Sequence, residues 1–183
     1  MKPTSLNRLL PIVRRLRRQG KIVAFTNGCF DILHVGHLDA LERIKKEADC
    51  LIVAVNSDAS VRRLKGKGRP VVPAAERARL IASLKPVDYA FIFSEDTPLK
   101  VIQAIRPNLL AKGADWKPDK IVGKEVVEAS GGRILAVPYR KNHSTTQLFQ
   151  RILSSSKKRG WVIPTKAGIR SSIKDFEGLG YGG

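Results

Sequence analysis

Two of the chain's three histidines, His34 and His37, stand three residues apart in "TNGCFDILHVGH", residues 26–37. On one turn of helix that spacing points both imidazoles at one spot. Two imidazoles there can donate hydrogen bonds to phosphate oxygens as negative charge builds on them. The alternative is plainer: the pair are surface or helix-capping residues, and an isolated His-x-Gly-His does not choose between the two readings. What chooses is the element on either side.

"KIVAFTN" is apolar and β-branched enough for a buried strand, and Gly36 to Glu47 has helical periodicity. The histidines then lie on the loop at the carboxyl end of the first strand, where open parallel sheets bind their ligands. Gly28 permits close backbone approach to a ligand, and Gly36 lets the helix begin tight against it. Free N–H groups and the positive end of the helix dipole face the same pocket, a seat for phosphate.

The alternation continues along the chain. "CLIVAVN", "DYAFIF", "NLLAKG" and "RILAVPY" read as strands, and "AAERARLIASL", "PLKVIQAI", "EVVEAS" and "TTQLFQRIL" as helical segments. Strands alternating with helices imply βαβ units. The expected fold is α/β, a Rossmann-like doubly wound parallel sheet of five strands. Residues 1–20 form a basic amphipathic helix packed on the domain, with Pro11 weakening its first half. Residues 21–153 are expected to form the α/β domain that carries the histidine loop, and residues 154–183 a basic, weakly structured appendage.

Composition narrows the classes. At 183 residues and 43% apolar content the chain suits one ordinary domain. No apolar run approaches the ~20 residues that cross a bilayer, and no signal-peptide pattern opens the chain, so no membrane association and a cytoplasmic address are expected. Cys29 and Cys50 have no zinc-ligand spacing and read as reduced thiols. The formal charge of +18 is unevenly placed: residues 1–20 carry +6 without an acid, residues 154–183 carry +4, and the middle carries +8. Such a balance favours anionic partners, whether nucleotides and sugar phosphates, nucleic acid or an acidic surface.

The stretch that opens the site resembles the signature of the cytidylyltransferase-like nucleotidyltransferases, whose loop runs Thr-x-Gly-x-Phe-Asp-x-x-His-x-Gly-His. In order after it come "AVNSD", "LKGKGRPVVPAAERARLI", "LLAKGADW" and "HSTTQL". Spread over residues 21–153, this series is similar to the adenylyltransferases of the ADP-heptose synthase branch. The resemblance implies transfer of AMP from ATP to heptose 1-phosphate, with pyrophosphate leaving and Mg²⁺ carried mainly by the ATP phosphates.

The resemblance also implies roles for residues. His34 and His37 face the α-phosphate, and Lys65 neutralises charge on the transferring or acceptor phosphate. Thr26, Asn27, Gly28, Cys29, Phe30 and Gly36 belong to the nucleotide loop. Lys112, Gly113 and Asp115, with Trp116 beside them, serve its ribose and base; Ser144, Thr145 and Thr146, with His143 beside them, serve the triphosphate. Asp31, Asn56, Asp58, Lys67, Arg69 and Arg77 face the sugar phosphate. Each has a plainer reading: Asp58 and Ser144 as helix caps, Lys65, Lys67 and Arg69 as a solvated Gly-punctuated loop, Arg77 as part of an ordinary charged helix surface.

A separate sugar kinase upstream and a homo-oligomer are expected partners, with no nucleic acid. Two rivals stay open. One is a cytidylyltransferase acting on glycerol 3-phosphate or a similar ester. The other, of a different class, is a basic nucleic-acid-binding module, motivated by the charged ends. An aminoacyl-tRNA synthetase fragment fits less well, because no Lys-Met-Ser-Lys-Ser segment is present.

Overall fold

The computed structural model describes residues 3–113, 120–138 and 145–159. Five strands form one sheet: β1 (Val23–Gly28), β2 (Cys50–Asn56), β3 (Tyr89–Phe93), β4 (Leu109–Gly113) and β5 (Arg133–Val137). Their order is β3-β2-β1-β4-β5, and every pairing is parallel. The chain therefore winds outward in one direction from β1 through β2 to β3, then returns to the other side of β1 for β4 and β5. This is the doubly wound Rossmann-like sheet expected from the alternating pattern.

Seven helices accompany the strands among the described residues: α1 (Leu6–Arg18), α2 (Val35–Lys46), α3 (Asp58–Lys65), α4 (Ala74–Ala82), α5 (Leu99–Ile105), α6 (Lys124–Ala129) and α7 (Thr145–Arg159). Side chains alternate across the sheet, so both faces are apolar and both are covered. On one face Val23 and Phe25 pack with Leu9 and Val13 of α1, Ile102 and Ile105 of α5 and Val127 of α6. On the other, Ala24 and Val53 pack with Leu41 and Ile44 of α2 and Ala78 and Ile81 of α4.

The basic amino-terminal helix is anchored in this core. Leu9 is fully buried and Val13 nearly so, while Arg8, Arg14, Arg15 and Arg18 stay exposed. Pro11 lies inside α1 without ending it. It sits on the exposed side between the two buried residues, where the lost N–H costs one solvent-facing bond and the core contacts hold both halves. Ser5 caps the start, its hydroxyl accepting from the Arg8 N–H at 3.4 Å.

Two local readings of the sequence are corrected. The chain after β2 forms the helix α3, and Lys65 is its last residue rather than part of a glycine-punctuated loop. The loop begins at Gly66, whose φ of 87° ends the helix in a conformation that favours glycine. At the other end, α7 runs on to Arg159, past Leu153, where the composition shift suggested that order stops. Residues 160–183 lie outside the described residues.

Because Leu9 is buried without remaining exposure, Leu9→Ala is expected to destabilise the fold by about 2–5 kcal/mol. The check is a urea titration: a lower midpoint at unchanged slope supports the packing of α1, and an unmoved midpoint contradicts it.

Candidate active site

β1 and β4 are the two strands from which the chain departs in opposite directions. Their paired register covers only Ala24↔Leu109 and Phe25↔Leu110, whereas β1 and β2 pair from Val23↔Cys50 through Gly28↔Val55. Past Phe25, side chains replace the ladder: the Thr26 hydroxyl donates to the Ala111 carbonyl at 3.1 Å, and the Lys112 ammonium donates to Asn27 Oδ1. The β1–β4 ladder thus ends before the carboxyl ends of the two strands, and by the general rule for such sheets the ligand crevice lies beyond those ends.

α2 starts directly beyond that crevice. His34 is its N-cap residue, in extended conformation, so the capping alternative is realised by the same residue that faces the switch point. The His34 N–H donates to His37 Nδ1 at 3.4 Å, and the His37 N–H to the His34 carbonyl at 2.9 Å. A ring whose Nδ1 accepts carries its proton on Nε2, so His37 is a hydrogen-bond donor through Nε2. The two imidazoles stack with centroids 3.8 Å apart and planes at 24°.

Burial, and then the neighbouring His34, lower the His37 pKa to about 4. At neutral pH the ring is uncharged. Phe30 closes the cluster from the loop side, its ring edge-on to His37 at 5.3 Å. To reach there Phe30 adopts a left-handed φ of 48°, rare for a residue with a side chain. Its ring lies over Gly28, where a Cβ would meet it at 3.1 Å; a methyl there would push the ring toward the histidines. Gly36 is buried in the first turn of α2.

The residues assigned to the sugar phosphate fall into two groups. Asp31, 2% exposed, accepts from the Val71 and Val72 N–H groups at 2.8 and 2.9 Å and lies 2.7 Å from Arg69 Nε. That last contact is a charge pair without an aligned N–H, since neither atom has a directed hydrogen-bond partner. Asp58 is not the cap of α3; Ser57 is, its hydroxyl accepting from Ser60 N–H. Asp58 Oδ1 instead accepts from the Ala74 N–H at 2.8 Å and from Arg77 at 2.7 Å.

Arg77 is buried completely and is no part of a charged surface. Asn56, also buried, donates to the Ser60 hydroxyl at 3.0 Å. The second group is different: Lys65 and Lys67 are exposed cations, and Arg69 lies with its guanidinium 4.7 Å over the Phe149 ring of α7. That contact fixes the start of α7 beside the loop after β1. Thr145 is the first residue of α7, followed by Thr146; Asp115, Trp116, His143 and Ser144 lie outside the described residues.

Lys112 stands at the switch point with its pKa lowered to about 8 by burial. At neutral pH it is still mainly the ammonium, and a phosphate placed beside it favours that form further. The Cys29 thiol is pushed up by burial, and so stays protonated. Among the described residues no group of three or more His, Cys, Asp or Glu side chains can hold a metal ion, and Asp31 and Asp58 are engaged as above. The described side chains therefore do not form a Mg²⁺ cage.

Residues 25–166 match the cytidylyltransferase-like family. The chain belongs to that family. It is a nucleotidyltransferase. The chain is 48% identical over 152 residues to the bifunctional protein HldE of Geotalea uraniireducens, covering 83% of this chain and 31% of that protein. It is 49% identical over 146 residues to the HldE of Halorhodospira halophila, with 80% and 31% covered. It thus spans about a third of the length of the curated relatives it matches.

Among solved structures, a lipopolysaccharide core biosynthesis protein from Thermoplasma volcanium superposes with a TM-score of 0.56 at 31% identity, covering 68% of this chain and all of that one. A pantoate-beta-alanine ligase from Francisella tularensis, solved with beta-gamma ATP and beta-alanine, gives 0.57 at 16% identity over 97% of this chain and 73% of that one, a likeness of fold. No helix of the described residues is long and apolar enough to cross a membrane.

The depressed pKa of His37 makes stability depend on pH in a definite direction. Between about 6.5 and 4 the unfolded chain binds a proton that the folded ring refuses, so stability falls as pH drops through that window and is fully present above it. His37→Asn removes this contribution. Urea midpoints measured from about pH 7.5 down to 4.5 are expected to fall more steeply for the parent than for the variant, and identical slopes contradict the buried, neutral ring.

Proposed function

We propose that this nucleotidyltransferase transfers AMP from ATP to a heptose 1-phosphate, yielding the ADP-sugar and pyrophosphate. The observation that carries the reading is the stacked His34–His37 pair at the start of α2, set where the β1–β4 ladder ends. The similarity to HldE proteins and to the lipopolysaccharide core biosynthesis protein supports a sugar-phosphate acceptor and a role in surface glycan or lipopolysaccharide core synthesis.

In this reaction a phosphate oxygen of the sugar attacks the α-phosphorus in line, a new P–O bond forms, and the bond to the bridging oxygen of pyrophosphate breaks. A phosphate monoester is already anionic near neutrality, its second pKa lying near 6, so no strong base is needed. Alignment and neutralisation of charge are the work of the protein. The neutral His37 ring donates through Nε2 to an α-phosphate oxygen with His34 stacked beside it, and the start of α2 adds its dipole. Lys65, Lys67 and Arg69 lie on the acceptor side, and Lys112 with the first turn of α7 on the nucleotide side.

Mg²⁺ carried by the triphosphate would neutralise charge there and would take few ligands from the protein. A sugar kinase supplies the acceptor, and the enzyme works as a homo-oligomer in the cytoplasm.

Pyrophosphate release is the test, with ATP and CTP each offered against both anomers of heptose 1-phosphate and against glycerol 3-phosphate. The expected pattern is turnover with ATP and a heptose 1-phosphate; preference for CTP or for glycerol 3-phosphate overturns the substrate assignment. His34→Ala and His37→Ala are each expected to lose about 10²–10³ in kcat while remaining folded.

A further inference from the structure

The loop that carries the histidines has almost no backbone support of its own. After Gly28 the β1 ladder ends, and among the described residues no backbone–backbone hydrogen bond is made by residues 29–33 until the His34 carbonyl accepts at the start of α2. A segment in that state is held by side chains or not at all. Two side chains hold it. One is the loop's own Asp31, gripping the N–H groups of Val71 and Val72. The other comes from elsewhere in the chain: Arg77, on α4.

Arg77 is the largest fully buried side chain among the described residues, and each of its three nitrogens has a different partner. Nε donates to the Val72 carbonyl at 2.7 Å, Nη1 donates to the Cys29 carbonyl, and Nη2 donates to Asp58 Oδ1 at 2.7 Å. These acceptors belong to three segments: the loop after β1, the stretch leading into α4, and the first turn of α3. α4 itself is fixed to the sheet by Ala78, Ile81 and Ala82. A rigid post thus carries a planar fork whose directions are set by its delocalised bonds. With no exposed surface and each nitrogen already donating to protein, the guanidinium faces protein groups and not solvent.

We infer that Arg77, clamped by Asp58, is a positioning residue that fixes the Cys29 carbonyl and so sets the path of the loop presenting His34 and His37. This rests on the nucleotidyl-transfer reading for its kinetic consequence, though not for its structural one. Lysine at this site keeps the charge but reaches a single point, so the three segments are no longer tied together. A displacement of about 1 Å in groups that align a reaction lowers rate by about 10²-fold, and the substrates' own contacts are untouched.

The test uses the full chain carrying Arg77→Lys, with kcat and KM measured for ATP and for heptose 1-phosphate, and hydrogen exchange followed by mass spectrometry without substrate. The expected result is a kcat lowered about 10²-fold with both KM values within about threefold, and faster exchange at the hydrogen-bonded N–H groups of the tied segments, residues 34–38 and 71–74, while β1 and β2 stay protected. A raised KM for the sugar phosphate with kcat retained makes Arg77 a substrate contact and overturns the inference, as does unchanged exchange at residues 34–38 and 71–74.

If Arg77→Lys does not fold, Asp58→Asn carries the test. It keeps an oxygen acceptor while removing the charge that clamps the fork, and the same pattern is expected with a kcat loss of about tenfold; unchanged kcat and exchange overturn the inference. Full turnover by His34→Ala would instead refute the proposed reaction and leave the loop-exchange result standing.

Discussion

Everything at this site depends on β1 being paired along its whole length with β2 and for only two residues with β4. A parallel sheet wound in both directions from its centre must send successive connections to opposite faces, and the strands on either side of the change cannot share a covering helix. The gap that results is lined by whatever ends β1 and β4. Here those ends are Thr26, Asn27 and Lys112, which bridge the parting strands by side chain where the ladder stops. α2 then begins with its unpaired N–H groups and two imidazoles at the same place.

The chain is strongly basic, and the few acids near the crevice are turned inward. Asp31 and Asp58 hold backbone N–H groups and the arginines Arg69 and Arg77. Their charge organises loops, while Lys65 and Lys67 stay exposed and Lys112 stands at the end of β4. Burial adds a second effect, keeping His37 neutral and lowering Lys112 toward neutrality. With a pKa of about 8, Lys112 remains mainly the ammonium at neutral pH, and an anion beside it favours that charged form further.

Side chains assigned to one function by pattern can differ in kind once they are placed. Arg69 and Arg77 lie eight positions apart, and both were read from sequence as sugar-phosphate ligands. Arg69 lies over Phe149 at the junction of two segments, whereas Arg77 is sealed with every nitrogen committed. What separates them is solvent access, and no local motif encodes it. Phe149 and the Val72 carbonyl were invisible in the sequence for the same reason: each acts only through a partner distant along the chain. Ser57 was within reach, since Ser directly before a helix start is the ordinary capping signal.

The sequence by itself determined the alternation of strands and helices, the parallel doubly wound sheet, and the loop on which His34 and His37 sit. It could do so because periodicity, glycine placement and the order of motifs are properties of neighbouring residues. Tertiary structure decided the rest. It alone stacked the two rings and lowered the charge on one, closed Arg77 inside three segments, and carried α1 across Pro11, because burial and charge pairing are set by residues brought together from far along the chain.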